Sequence, residues 1–141
     1  MTREARGWVA VRHWLPPAWD RVFFAKCLAL RLAVTVGPPW LLISAGQGVF
    51  ALIAFIALSW PWPRRLRVSE AGLRFRYAFI DGTLSAADLE GASVEADPRC
   101  WVLGRRAPLL LVRRRAGAPL MIFAPLATLQ GLLEELRSQG R

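Results

Sequence analysis

The chain has 141 residues, 55 % of them hydrophobic and seven of them tryptophan, yet its formal net charge is +9. One domain's worth of sequence that is at once this apolar and this basic does not read as an ordinary soluble globule; part of it is expected in lipid, leaving a small water-soluble remainder. His13 is the only histidine, and Cys27 and Cys100 lie far apart, so neither a disulfide framework nor a zinc-ligand set is expected.

The charge is concentrated at two places. Up to Arg31 there are six basic residues against Glu4 and Asp20, and from Arg64 to Arg76 five arginines against Glu70. Between them, the 32 residues from Leu32 to Pro63 contain no Asp, Glu, Lys or Arg. Basic residues that flank an apolar run match the positive-inside rule, and no nucleic-acid partner is expected from them. Arginine outnumbers lysine eighteen to one, a bias that points to a GC-rich bacterial genome.

Residues 1–20 read as an interfacial N-terminal segment. Trp8, Trp14 and Trp19 lie among basic residues there, as in chains that rest at a membrane surface. His13 reads as a surface side chain.

Residues 21–63 read as a two-helix transmembrane hairpin. A bilayer core of about 30 Å takes about 20 helical residues, so the charge-free run is long for one span and short for two. Two crossings put both basic flanks, and both termini, on the cytoplasmic side of a bacterial inner membrane. The first helix is expected from Arg21 or Val22 to about Ile43, with Lys26 and Arg31 sending their cationic heads toward the interface. A helix lying flat over 20–31 fits less well, because positions 21, 26 and 31 spread around its circumference. Arg31 is the deepest charge and the candidate intramembrane contact, with an inter-chain or an intrahelical role open to it. Gly37-Pro38-Pro39 is expected to kink this helix. After a turn at Ser44–Gly48, a short return helix from Val49 to Trp62 calls for local thinning or a partner helix. Trp60 and Trp62, with Trp19, are the expected interface anchors. Pro61 and Pro63 stop the helix, and Arg64, Arg65 and Arg67 hold the start of the next segment in the basic layer.

Residues 64–141 read as a β domain. Leu66 and Val68, then Leu73, Phe75, Tyr77 and Phe79, alternate with mostly polar residues at the period of half-buried strands, around a tight turn at Ser69–Gly72. Asp81-Gly82 is a favoured two-residue hairpin loop and is expected to turn the chain back into a strand over 83–85. Ser85–Asp88 resembles a capping box for one helical turn before a strand over 89–96, which Asp97-Pro98 should break. Cys100–Leu103, Leu109–Arg113 and Pro119–Phe123 are further strand candidates. Leu126, Leu129, Leu133 and Leu136 then recur at helical spacing, predicting an amphipathic helix over 125–138.

The order of two apolar helices, a basic junction, LRVSEAGLRFRY, LSAADLEGASVE, further hairpin strands and LATLQGLLEELR resembles bacterial membrane-anchored pleckstrin-homology-like proteins. The resemblance covers 64–137 and the helix pair as an arrangement. It implies an α+β membrane protein in which a small antiparallel sheet or barrel is capped by a C-terminal helix. It also implies an interaction or scaffold module that binds a protein partner or itself, without cofactor, metal, small-molecule substrate or catalytic residues. Arg67 and the Arg74-Phe75-Arg76 triplet stand near where some pleckstrin-homology domains hold an inositol phosphate. Hence the alternative is an anionic-lipid sensor that uses Arg64, Arg65, Arg67, Arg74 and Arg76, although Glu70 in the short intervening turn opposes an anion. No Gly-x-Ser-x-Gly, Walker, dinucleotide-binding or His-Glu-x-x-His pattern is present.

Overall fold

The computed structural model describes residues 14–102 and 105–140, with side chains placed throughout except for 96–107. Trp8 and His13 therefore lie outside the described residues.

The first helix, α1, runs from Arg21 to Ser44. Asp20 starts it: its backbone is extended, and its carboxylate accepts the Phe23 N–H at 2.7 Å, satisfying a donor the helix itself cannot. The other oxygen of the same carboxylate pairs with Arg114 at 3.1 Å, which ties the helix start to the sheet. The helix continues through Pro38 and Pro39 and is long and apolar enough to cross a membrane. A turn at 45–47 leads into α2, Gly48–Leu58. This helix is shorter than the sequence suggested; Ser59 caps it, and the chain up to Pro63 is not helical.

The remainder forms two antiparallel sheets and a closing helix. In the three-stranded sheet, β2 (Arg64–Ser69), β3 (Gly72–Tyr77) and β4 (Ile80–Ser85) follow one another. A 3-10 turn at Ala86–Asp88 leads to β5 (Leu89–Val102), which pairs with β6 (Arg105–Arg114). β7 (Leu120–Ile122) joins β6 and completes that sheet with β1, the two residues Ala18–Trp19. The last helix, α3 (Leu126–Gln139), packs on β2, β5 and β6 and so bridges the sheets through the buried Leu129 and the half-buried Leu132, Leu133 and Leu136. The chain is thus α+β, with the core formed by Leu73, Phe75, Tyr77, Leu110, Val112, Leu120, Ile122 and Leu129.

Four expectations are corrected. The strands divide into two antiparallel sheets where a single small sheet or barrel was expected, and the N-terminal segment contributes β1 to one of them, with Ala18 opposite Ile122. The β3–β4 turn falls at Ala78–Phe79, and Asp81 and Gly82 lie inside β4. Gly82 serves packing there: it faces Phe75, whose ring fills the space a Cβ would need. β5 also continues past Asp97-Pro98, absorbing the irregularity as a register shift between Asp97 and Trp101.

The buried residues of α1 are Phe23, Cys27, Arg31, Thr35 and Pro39, one in every four positions. Such a stripe drifts around a 3.6-residue helix, by roughly 160° between its ends. Phe23 and Cys27 belong to the β-domain core, with Phe23 edge-on to Phe75 at 4.7 Å. Further along the stripe, Thr35 and Pro39 belong to the part of α1 that pairs with α2, on which Ala51 is buried. Arg31 sits at the changeover.

Gly82→Ala is expected to destabilise the protein by about 1–3 kcal/mol, because Phe75 is held by Phe23 and cannot yield to the new methyl. Thermal unfolding in detergent measures it; an unchanged midpoint would mean that the Phe75 ring moves freely.

Candidate functional site

Strand register decides which arginines meet. In β2, Arg64, Leu66 and Val68 point inward while Arg65 and Arg67 point out; in β3, Leu73, Phe75 and Tyr77 point inward while Arg74 and Arg76 point out. Arg65 is opposite Arg76, and Arg67 is opposite Arg74. The four outward guanidinium groups therefore form two cross-strand rows of like charge, an arrangement that destabilises a bare sheet. They line, with Arg64 and Leu66, a concavity of about 610 Å³.

Acidic relief is limited to one edge. Asp81 on β4 lies 3.3 Å from Arg76 and 3.7 Å from Arg74, and these exposed pairs contribute little to stability. Among the described residues, Arg65 and Arg67 have no carboxylate partner. Glu70, in the β2–β3 turn, is exposed. Arg64, the fifth expected contact, is turned inward instead: it donates to the Leu15 carbonyl at 3.3 Å, and burial lowers its pKa.

Arg31 is wholly buried, as is Thr35, whose hydroxyl donates to the Arg31 carbonyl at 2.7 Å. The Arg31 guanidinium lies between two indoles, with its carbon 4.6 Å from the Trp14 ring centre and 4.7 Å from that of Trp62. One Nη donates to the Ser59 carbonyl at 3.0 Å and to that of Trp60 at 3.3 Å; the other donates to the Tyr77 hydroxyl at 3.3 Å. Among the described residues it has no carboxylate partner. Its charge is met by the carbonyl end of α2, where the helix dipole is negative, and by the aromatic faces. Tyr77 stacks on Trp62 at 5.7 Å, and burial raises its pKa against the opposing pull of Arg31, so the phenol stays neutral.

One side chain on α1 thus holds the exit of α2 and the end of β3. The partners of both Nη atoms lie within the chain, and its buried Nε has no hydrogen-bond partner among the described residues. Trp62, expected as an interface anchor, serves this joint, and its Nε1 donates to the Leu58 carbonyl at 3.3 Å. Trp19 lies in β1, its ring 4.5 Å from Phe24 and 6.1 Å from Phe123, so the domain occupies much of its surface. Trp60 is 71 % exposed. The partnership of Trp14, Tyr77 and Trp62 with Arg31 was missed from sequence; the signal within reach was the deepest cation of an apolar helix, which demands partners wherever it is buried.

No group that could hold a metal ion occurs among the described residues. Comparison with family models, curated proteins and solved structures finds no match to the chain.

Arg31→Leu is expected to cost about 2–3 kcal/mol in unfolding free energy, since it strips a charged donor from two carbonyls and a phenol. Arg31→Lys should recover little, because an ammonium cannot stack between two indoles while forking to three acceptors. Equal stability of all three proteins in detergent would contradict the joint.

Proposed function

We propose that the chain is a non-catalytic, membrane-anchored module that holds a pleckstrin-homology-like β domain against the membrane surface and presents its arginine face to anionic headgroups. The observation that carries this reading is the pairing of Arg65 with Arg76 and Arg67 with Arg74 in one concavity where, among the described residues, Asp81 is the one carboxylate ion-paired with them. Rows of like charge gain most from a ligand with several anionic oxygens, which guanidinium groups bind in bidentate fashion.

The anchor reading rests on the helix pair beyond Arg31. Val36, Trp40, Leu41, Phe50, Leu52 and Ile53 are each more than half exposed, an apolar surface suited to acyl chains. The first turns of α1 pack on the β domain, so the part proposed to enter lipid begins near Leu32. From Leu32 to Ser44 α1 extends about 20 Å, and α2 about 16 Å from its 11 residues; both fall short of a hydrocarbon core of about 30 Å, so the pair as proposed enters the membrane and turns back rather than making the two crossings expected from the sequence.

A second reading, a protein partner or a second copy of the chain, is favoured by a groove of about 390 Å³ between α3 and β5, which is an edge strand.

Arg65→Gln/Arg67→Gln is expected to weaken binding of short-chain phosphatidylglycerol to the detergent-solubilised full chain by about tenfold at low salt, with the wild-type affinity falling as salt rises. Calorimetric titration reads both. Equal affinities in the two proteins would move the reading to the protein-partner groove.

A further inference from the structure

The β3–β4 turn has a property that the arginine face does not explain. Phe79 is 89 % exposed at its tip, although phenylalanine is a poor choice for a water-facing turn. The residue before it, Ala78, has φ +51, and among the described residues it is the one non-glycine in the left-handed region. A backbone conformation that favours glycine is retained here beside a large apolar side chain. The Ala78 N–H donates to the Pro63 carbonyl at 2.8 Å, which fixes the turn to the chain where it leaves α2. Phe79 thus stands at the same end of the domain as Trp60, whose ring is also exposed.

The strand directions give the rest of the arrangement. β2 starts and β3 ends at this same end, so the Arg65–Arg76 row lies next to the turn and the Arg67–Arg74 row lies farther away. With strand spacing near 3.3 Å per residue, the first row is about 7–10 Å from the turn tip. Each interfacial layer of a bilayer is roughly 5–8 Å deep. A phenyl ring at the top of the acyl chains therefore places the first arginine row at the outer, phosphate-bearing part of that layer and leaves the second row, about 14–17 Å from the tip, beyond it.

We propose that the Ala78–Phe79 turn is a second insertion point into the bilayer that receives the helix pair, with Phe79 seated beside Trp60 in the upper acyl region and Arg65 and Arg76 on lipid phosphates. The partner is a lipid surface rather than a protein, because the apolar tip lies at the same end as the proposed anchor and is backed by an arginine row in which Asp81 offsets Arg76 while Arg65 has no carboxylate partner among the described residues. Two attachments, one at the helix exit and one at the turn, fix the tilt of the β domain as well as its height. The inference rests on the membrane reading above and adds the orientation of the domain to it.

The test places a single environment-sensitive fluorophore on the full-length protein at Phe79→Cys or, separately, at Thr83→Cys, in proteoliposomes of phosphatidylethanolamine and phosphatidylglycerol, with Cys100→Ser as background. Thr83 is exposed on β4, level with the second arginine row. Flotation of the protein with the vesicles is scored first: protein that stays at the bottom overturns the anchor reading, and the inference with it. In floated protein, the label at 79 is expected to be shielded from aqueous iodide several-fold relative to 83 and quenched by lipids with a nitroxide high on the acyl chain. Equal iodide access at the two positions overturns the insertion of the turn while leaving the anchor standing. Because Phe79 packs against almost nothing, Phe79→Cys is expected to fold; Phe79→Trp, read by its own emission against the parent protein, repeats the measurement with an aromatic ring retained. If the emission added by Phe79→Trp is no more shielded from iodide than that of tryptophan free in solution, the proposal is overturned by the second route.

Discussion

A buried guanidinium without a carboxylate is the constraint around which this chain is arranged. Desolvating a cation is costly, and Arg31 is fully removed from solvent, so every surrounding group must favour positive charge. Two indole faces, two carbonyls just past the end of α2 and a phenolic oxygen do so together. These groups come from three places in the sequence, the segment before β1, the exit of α2 and the end of β3, and they meet a side chain of α1. Meeting the demands of one side chain therefore brings the two helices and the β domain to one point.

The consequences run outward from that joint. Because the Arg31 donors hold Ser59 and Trp60, α2 ends where the β domain begins, and Pro61 and Pro63 pass the chain directly into β2. Asp20 provides a second tie at the start of α1 by capping the helix and pairing with Arg114 of β6. Between these two ties the first turns of α1 lie on the sheet, with Phe23 and Cys27 in its core. The relation of the helix pair to the arginine rows is therefore set by packing and charge, and in the proposed reading that relation presents the rows to a headgroup layer.

Local patterns carried much of this in the sequence. The apolar run and its flanking charges placed α1 within a residue of its ends, the alternation through Leu73, Phe75 and Tyr77 gave β3 its faces, and the leucine spacing gave α3. The four outward arginines were legible as a group for the same reason, since a period of two puts 65 and 67, and 74 and 76, on one side. What was not legible depended on partners distant in sequence. Ala18 and Trp19 become a strand only because β7 offers an edge, and two residues carry no periodicity. Asp81-Gly82 has the chemistry of a tight turn, but the ion pairs of Asp81 and the ring of Phe75 over Gly82 draw both residues into the ladder. Arg64 shares its charge with its neighbours but not its face: it borders the same concavity while its guanidinium turns inward to the Leu15 carbonyl.

The central claim is that Arg31 makes the helix pair and the β domain one rigid unit. Spin labels at Ala57→Cys on α2 and Thr83→Cys on β4, both exposed positions, report that relation as a distance distribution in the reconstituted protein. With Arg31 present a single narrow distribution is predicted, and with Arg31→Leu a broad one. A distribution that is equally narrow in both proteins would contradict the account, placing the rigidity in the Asp20–Arg114 tie and the core contacts of α1 instead.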